Sequence, residues 1–226
     1  MSFCDVIFSF SFCLIDSFFD SFCFVEKSVE TGKEREMEKC PVCGRGPQEP
    51  SMVLERYLQE NIVLARAMGV RVCCVGDDGH VVLTAPLACN SNDMGTGFAG
   101  SLSALAMRAC WACAARVAER LCGTDTEHTV VARDASVRFR RPVRRDFVAV
   151  AQAPTHDVLA HAAEEYAARG RAHLTLHADV FESASEGAGA EEVAATPCLS
   201  CDGTYVVLAP ADAGATRTPT ASLAGL

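Results

Sequence analysis

The run Asn90-Ser-Asn-Asp-Met-Gly-Thr-Gly-Phe-Ala-Gly-Ser-Leu-Ser-Ala-Leu-Ala-Met107 carries a glycine-rich loop straight into an apolar helix. Such a junction aims unpaired backbone N–H groups, and the positive end of the helix dipole, at whatever occupies the loop. A carbonyl oxygen gaining negative charge suits it, and so does a phosphate. The helix is predicted over Ala99–Leu121, with Leu102, Leu105, Ala106, Ala109, Cys113 and Val117 on one face and Gly123 as its stop. Alanine and serine keep it thin. A long, slender, apolar helix needs a surface that curves around it.

The flanking segments supply that surface. Before the loop, Leu54, Tyr57, Leu58, Ile62 and Ala65 recur at helical spacing after Pro50, with Ser51 as the expected N-cap. Val70–Val75 and His80–Leu87 are rich in β-formers and flank Gly76-Asp-Asp-Gly79, a hairpin signal. After the helix come a strand over Thr129–Phe139, closed by Pro142, and a shorter one over Phe147–Ala151. In the first, Ala135, Val137 and Phe139 oppose Ser136, Arg138 and Arg140. His156–Arg169 reads as a helix stopped by Gly170. Arg171–Glu182 then alternates, with Ala172, Leu174, Leu176, Ala178 and Val180 inward. Residues 183–201 read as a flexible Ala/Gly/Glu-rich excursion and Thr204–Ala209 as the last strand. Trp111 is expected to pack beneath the sheet. The order implies an α+β fold in which a curled antiparallel sheet wraps one long central helix.

Composition narrows the function classes. The 226 residues carry a formal charge of −9, which argues against a general nucleic-acid binder. Thirteen cysteines form no regular disulfide framework, and no Lys or Arg precedes the Phe/Ser-rich stretch at the N-terminus, so a secretory signal is a poor match and a reducing, cytoplasmic setting is expected. The longest uncharged run there, Val6–Ile15, is too short to span a bilayer. Residues 1–50 are expected to be an extension and linker, disordered or belonging to a misassigned start with Met37 or Met52 as the true one. Residues 51–209 are the expected domain, and 210–226 a disordered tail.

The pattern Ala85-Pro-Leu87…Asn90-Ser-Asn92…Thr96-Gly-Phe98-Ala-Gly-Ser101…Ala106…Trp111, with Ser136–Val143 and Gly203–Val207 later, resembles one branch of the hotdog fold. That branch is the thioesterase family that also occurs as a carboxy-terminal domain of bacterial acetyltransferases, the YiiD type. The resemblance covers about residues 53–208, with no acetyltransferase-like segment. It implies an acyl-CoA or acyl-carrier thioester as substrate, a homodimer or higher homo-oligomer with the ligand tunnel between subunits, and no cofactor. The phenylacetate-pathway type of acyl-CoA thioesterase carries a related motif: Asn92 matches its Asn, Gly95 its first Gly, Gly100 its last, and Leu105-Ala106 its Leu-Ala. Phe98 stands where that type has His, and Met107 where it has the catalytic carboxylate. Its mechanism therefore does not carry over intact.

Thioester hydrolysis needs donors for an oxyanion and a group that delivers the attack. The resemblance puts the donor at the Gly100 amide. Asp93 is the leading candidate base, with Asn92 orienting water or thioester and Thr96 donating a hydrogen bond. Asn and Asp are equally ordinary loop formers. Phe98, Ser101 and Met107 are candidates for the substrate wall, though an apolar residue on a central helix is as readily core. Six arginines fall within thirteen residues, among them Arg138, Arg140 and Arg141. They suit a coenzyme A or phosphopantetheine phosphate, or simply form a charged strand face. Cys40-Pro-Val-Cys43-Gly looks like half a zinc ribbon and Cys198-Leu-Ser-Cys201 like a second pair. Their separation is far outside ordinary ligand spacing, so no metal is assigned. The rival function is an acyl-thioester binding module without catalysis, favoured by Met107.

Overall fold

Six strands form one antiparallel sheet in the computed structural model, which describes residues 40, 42, 44, 46, 48–123, 128–183 and 196–209. These all fall in one compact unit, Met37–Leu226. The strands are β1 (Arg71–Val75), β2 (Val81–Ala85), β3 (Thr129–Phe139), β4 (Phe147–Ala151), β5 (Arg171–Glu182) and β6 (Leu199–Leu208), in the order β1-β2-β4-β5-β6-β3. Of the expected extension and linker 1–50, residues 1–39, 41, 43, 45 and 47 lie outside the described residues, as do 184–195 of the expected excursion and the expected tail 210–226.

The period-two patterns sort the two faces. Val81, Leu83, Phe147, Ala149, Leu174, Leu176, Ala178, Leu199, Cys201 and Tyr205 share one buried core with the long helix α3 (Ala99–Cys122). Leu102, Leu105, Ala106, Ala109 and Cys113 are its buried contacts, and every Ala from Ala112 to Ala118 is also buried. Small side chains let the 24-residue helix lie close against the sheet. Each fully buried leucine, such as Leu105 or Leu174, contributes about 1.5–3 kcal/mol. Enlarging Ala109 would force the helix off the sheet and cost about 1–3 kcal/mol. The outer face buries a second, smaller cluster of Cys40, Cys74, Val82 and Val148. A bulge in β1 between Val72 and Cys74 interrupts its pairing with β2.

Several details differ from the sequence expectations. Helix α1 spans Glu49–Asn61 with Gln48 at its N-cap, because Pro50 fits the first turn, where its missing N–H costs nothing. Ser51 is inside the helix, buried, its hydroxyl without a partner among the described residues. A five-residue helix α2 (Val63–Ala67) follows a break at Ile62. The last strand begins at Leu199 rather than Thr204, since β6 is paired on both sides and Cys198 N donates to Val180 O at 2.7 Å. Trp111 packs against the core that the sheet shares with α3. It stacks on Tyr57 of α1 (5.9 Å, 12°) and donates to Val130 O at 3.1 Å. Helix α4 (His156–Arg169) matches its expected span, ending at Gly170 in the left-handed region.

Candidate functional site

Two asparagines build the loop from Asn90 to Phe98. Asn90 is buried and donates from Nδ2 to both Met68 O and Pro86 O at 2.8 Å, while its carbonyl accepts from Phe98 N at 2.7 Å. The two ends of the loop are thus tied together over the hairpin. Asn92 Oδ1 accepts from Met94 N and Thr96 N, both at 3.0 Å, and its Nδ2 donates to Thr96 Oγ1 at 3.0 Å. Gly95, at φ 71°, makes the tight turn between them. Gly97 N donates to Val143 O at 2.8 Å, and a Cβ there would stand 3.1 Å from Val143 Cβ and 3.2 Å from a Leu102 methyl. The loop is therefore held against the β3–β4 connection.

That scaffold leaves the start of α3 open. Phe98 is the N-cap residue and has no side-chain group to cap with. The first loop-to-helix bond is Leu102 N to Phe98 O at 3.0 Å, so the amides of Ala99, Gly100 and Ser101 have no partner among the described residues. Ala99 and Gly100 are exposed and Ser101 is half-buried. Three converging N–H groups at a helix N-terminus can stabilise an oxyanion or an anion. Phe98 lies 53% exposed with its ring against the Gly100 Cα; a Cβ there would come within 2.5 Å of Cε1. Met94, 76% exposed, adds a second apolar side chain to this rim.

Met107 is seven residues on, about two turns and 10 Å along the same helix face. It is half-buried against the core, and its carbonyl accepts a 2.8 Å bond from Tyr205 Oη. Gly203 makes room for that tyrosine, since a Cβ would meet its ring at 2.9 Å. Sequence reasoning missed Tyr205 and Val143 as supports of the site, because neither contact is local. Asp93 is exposed and forms no hydrogen bond or ion pair among the described residues. It is the loop's one carboxylate, next to Asn92, whose own side chain is committed to the turn.

The arginines lie elsewhere. Arg138 NH1 stands 3.5 Å from Asp202 Oδ2, and Arg140 Nε donates to Ser200 Oγ at 3.1 Å. Both partners belong to the outer face of β6, away from α3. Arg141 donates to Thr196 O at 2.9 Å and is 3.8 Å from Glu182. On the same outer face His177 sits between Asp202 (2.7 Å) and Asp179 (3.2 Å), and Ser200 Oγ donates to Asp179 at 2.6 Å. Burial works against the charged imidazole, but the hydrogen bonds it donates to Asp202 and Asp179 outweigh it and hold His177 above its ordinary value. His173 pairs with Glu165 at 2.9 Å. The two histidines are therefore paired with carboxylates rather than with each other.

The cysteine pairs separate as well. Cys198 and Cys201 are buried in the main core, on the α3 side, and burial raises both thiols above their ordinary value. Cys40 belongs to the outer cluster, and Cys43 lies outside the described residues. Among the described residues no three His, Cys, Asp or Glu side chains are placed to hold a metal ion. No described helix is long and apolar enough to cross a membrane.

Comparison with known proteins agrees with this architecture. A family model described as "Putative thioesterase (yiiD_Cterm)" matches residues 51–209. Curated proteins gave no match. A protein of unknown function from Chlorobaculum tepidum TLS is 25% identical in sequence, covering 70% of this chain and 94% of its own, with a TM-score of 0.59. A structure titled as a putative thioesterase from Shewanella oneidensis is 22% identical, covering 71% and 98%, with a TM-score of 0.56. One from Pseudomonas aeruginosa titled as a probable thioesterase is also 22% identical, covering 70% and 95%, at 0.50. The last two bear on the fold alone: a curled six-stranded antiparallel sheet around a long helix, the hotdog fold.

Proposed function

The chain belongs to the thioesterase family whose model spans residues 51–209, and from that premise we propose that it hydrolyses acyl-CoA or acyl-carrier thioesters at the mouth of α3. The observation that carries this reading is the trio of unpartnered amides at Ala99, Gly100 and Ser101 beside an exposed glycine. The thioester carbonyl oxygen points at the Gly100 N–H. Asp93 takes a proton from a water molecule as that water attacks the carbonyl carbon. The tetrahedral oxyanion is held by the helix amides. Its collapse breaks the C–S bond, and the departing sulfur takes up a proton, leaving a carboxylic acid and a free thiol. Asn92 and Thr96 serve by fixing the loop, while Phe98, Ser101 and Met107 border the acyl group. Arg138, Arg140 and Arg141 are the candidate phosphate contacts, supported by charge alone.

A homodimer completes the site in this reading. β3 is an edge strand of eleven residues, exposed along most of its length, with Ala135, Val137 and Phe139 on its inner face and Phe139 56% exposed. A long exposed edge of this kind is ordinarily covered. Pairing with a second copy would cover it and bring the partner's residues towards the α3 mouth. Residues 51–209 would act as the hydrolase domain, with 1–50 and 210–226 appended, in the cytoplasm where acyl-CoA is made.

The test is thiol release from acyl-CoAs of graded chain length by the purified chain, alongside direct binding. Turnover that Asp93→Asn lowers by about 10²–10⁴ supports the hydrolase. The second reading, a binding module without catalysis, is favoured by Met107, which cannot activate water. Tight binding without any thiol release would establish it instead.

A further inference from the structure

Arg108, near the middle of α3, is a cation that the hydrolytic step does not use. Its Cζ stands 5.2 Å from the centroid of the Trp111 ring, one turn further along, and Trp111 is itself stacked on Tyr57. Among the described residues Arg108 forms no hydrogen bond or ion pair. The residue is half-buried, yet its nitrogens reach solvent. Burial holds the guanidinium below its ordinary value, although Tyr57 and Tyr205 favour the charge. The next arginine along α3, Arg116, is by contrast held by Glu119 at 2.7 Å.

Position ties this cation to the helix mouth. Arg108 follows Ser101 by seven residues, so the two share one stripe of α3, about 10 Å apart along its axis. Met107, which borders the acyl group in the proposed reaction, is its neighbour in the chain. Trp111 Nε1 donates to Val130 O of β3 at 3.1 Å, and Tyr205 of β6 pairs with Ala132 of β3. Arg108 therefore lies on the flank of α3 that faces β3, the open edge strand.

We propose that Arg108 selects acyl groups that end in a carboxylate, so that the favoured substrates are thioesters of dicarboxylic acids. The inference rests on the hydrolase reading of the α3 mouth. With the thioester carbonyl at the amides of Ala99–Ser101, the far carboxylate takes two parallel N–H···O bonds from the guanidinium. That planar fork offers five N–H donors, none with a protein acceptor among the described residues. A single half-buried charge beside aromatic rings matches a single carboxylate. A diphosphate would bring more charge than Arg108 alone can balance. A methyl-ended chain of the same length would strip water from the guanidinium and return no hydrogen bond, so the site works against it. The bland alternative is an arginine whose stem packs on Trp111 while its head stays in water. It gives no preference between the two chain ends.

The chain has one tryptophan, Trp111, so its emission reports on the Arg108 site directly. The experiment uses the full chain in two arms. Thiol release is measured with adipoyl-, suberoyl- and sebacoyl-CoA against hexanoyl-, octanoyl- and decanoyl-CoA. Binding is measured through Trp111 emission with non-hydrolysable CoA thioethers of matched length, ending in a carboxylate or a methyl. Expected is a kcat/KM about 10–100-fold higher for the dicarboxylyl thioester at the best length, with a matching difference in thioether affinity. Arg108→Leu should reverse that order, and Arg108→Lys, which keeps the charge without the planar fork, should retain only part of it. Should Arg108→Leu fail to fold, the native preference and Arg108→Lys still decide. Absence of thiol release from every thioester, with the carboxylate preference in binding intact, would remove the hydrolase and leave Arg108 its role. Equal affinity and turnover for the two chain ends, or a preference that survives Arg108→Leu, would overturn the proposal. So would an Arg108→Leu variant that sediments as a smaller species with its preference unchanged, since the guanidinium would then serve a carboxylate of a second copy.

Discussion

Removing a single backbone N–H is the sharpest test of the helix mouth, and Gly100 allows it. The residue is the second of α3, and its amide makes no bond within the protein, so proline there costs no helix hydrogen bond. The ring also carries a Cβ, which would press on Phe98 Cε1 at 2.5 Å. Phe98 is 53% exposed and its ring can swing away. Gly100→Ala adds the same Cβ and keeps the N–H, so it is the proper reference for Gly100→Pro. If Gly100 N–H holds the oxyanion, the proline variant should turn over about 10²–10³ more slowly than the alanine variant, or about 3–4 kcal/mol in barrier. KM should move far less, since the bond strengthens only as charge develops. Thiol release followed with a chromogenic disulfide gives both constants. Proline within about threefold of alanine would mean that the Gly100 amide is a bystander.

Other consequences follow from particular contacts. Burial pushes the Glu119 carboxyl up to about 7 against the pull of Arg116, from an ordinary 4.5. Because the folded-state value is the raised one, its stabilising share is complete below pH 4.5 and is lost as pH rises through about 7. Wild type should therefore lose about 3 kcal/mol more than Glu119→Gln between pH 4.5 and 8, read by denaturant titration at both ends. Equal losses would place the carboxyl in water. Tyr205→Phe should cost about 1 kcal/mol of unfolding free energy by removing the bond to Met107 O, measured the same way. Sedimentation should give the mass of two 24.1 kDa chains, and a monomer at working concentration would leave the β3 edge without its expected cover.

The sequence by itself determined what depends on neighbours a few residues away. Ala99–Leu121 was readable as a helix because its apolar positions repeat every turn, and the glycines before it because a tight turn needs them. β5 was readable because its alternation is strict. The family was readable because the loop and the helix start are one continuous stretch. Cys198 and Cys201 gave no such warning: a CxxC spacing is local, but the face of the sheet on which each thiol lies depends on the register of β6 between β5 and β3. The same non-local pairing extended β6 back to Leu199 through a run of Ser, Cys, Asp and Gly that has little strand character alone. Asn92 read as a candidate for positioning water, and only the structure showed that its side chain also binds the Met94 and Thr96 amides and the Thr96 hydroxyl of its own turn. Cys74 and His80 were separate features of a hairpin until the bulge in β1 and the Asp78 bond set them 3.4 Å apart. Periodicity and capping are written in adjacent residues and survive in the sequence; which donors meet across a sheet is fixed only when the strands choose their partners.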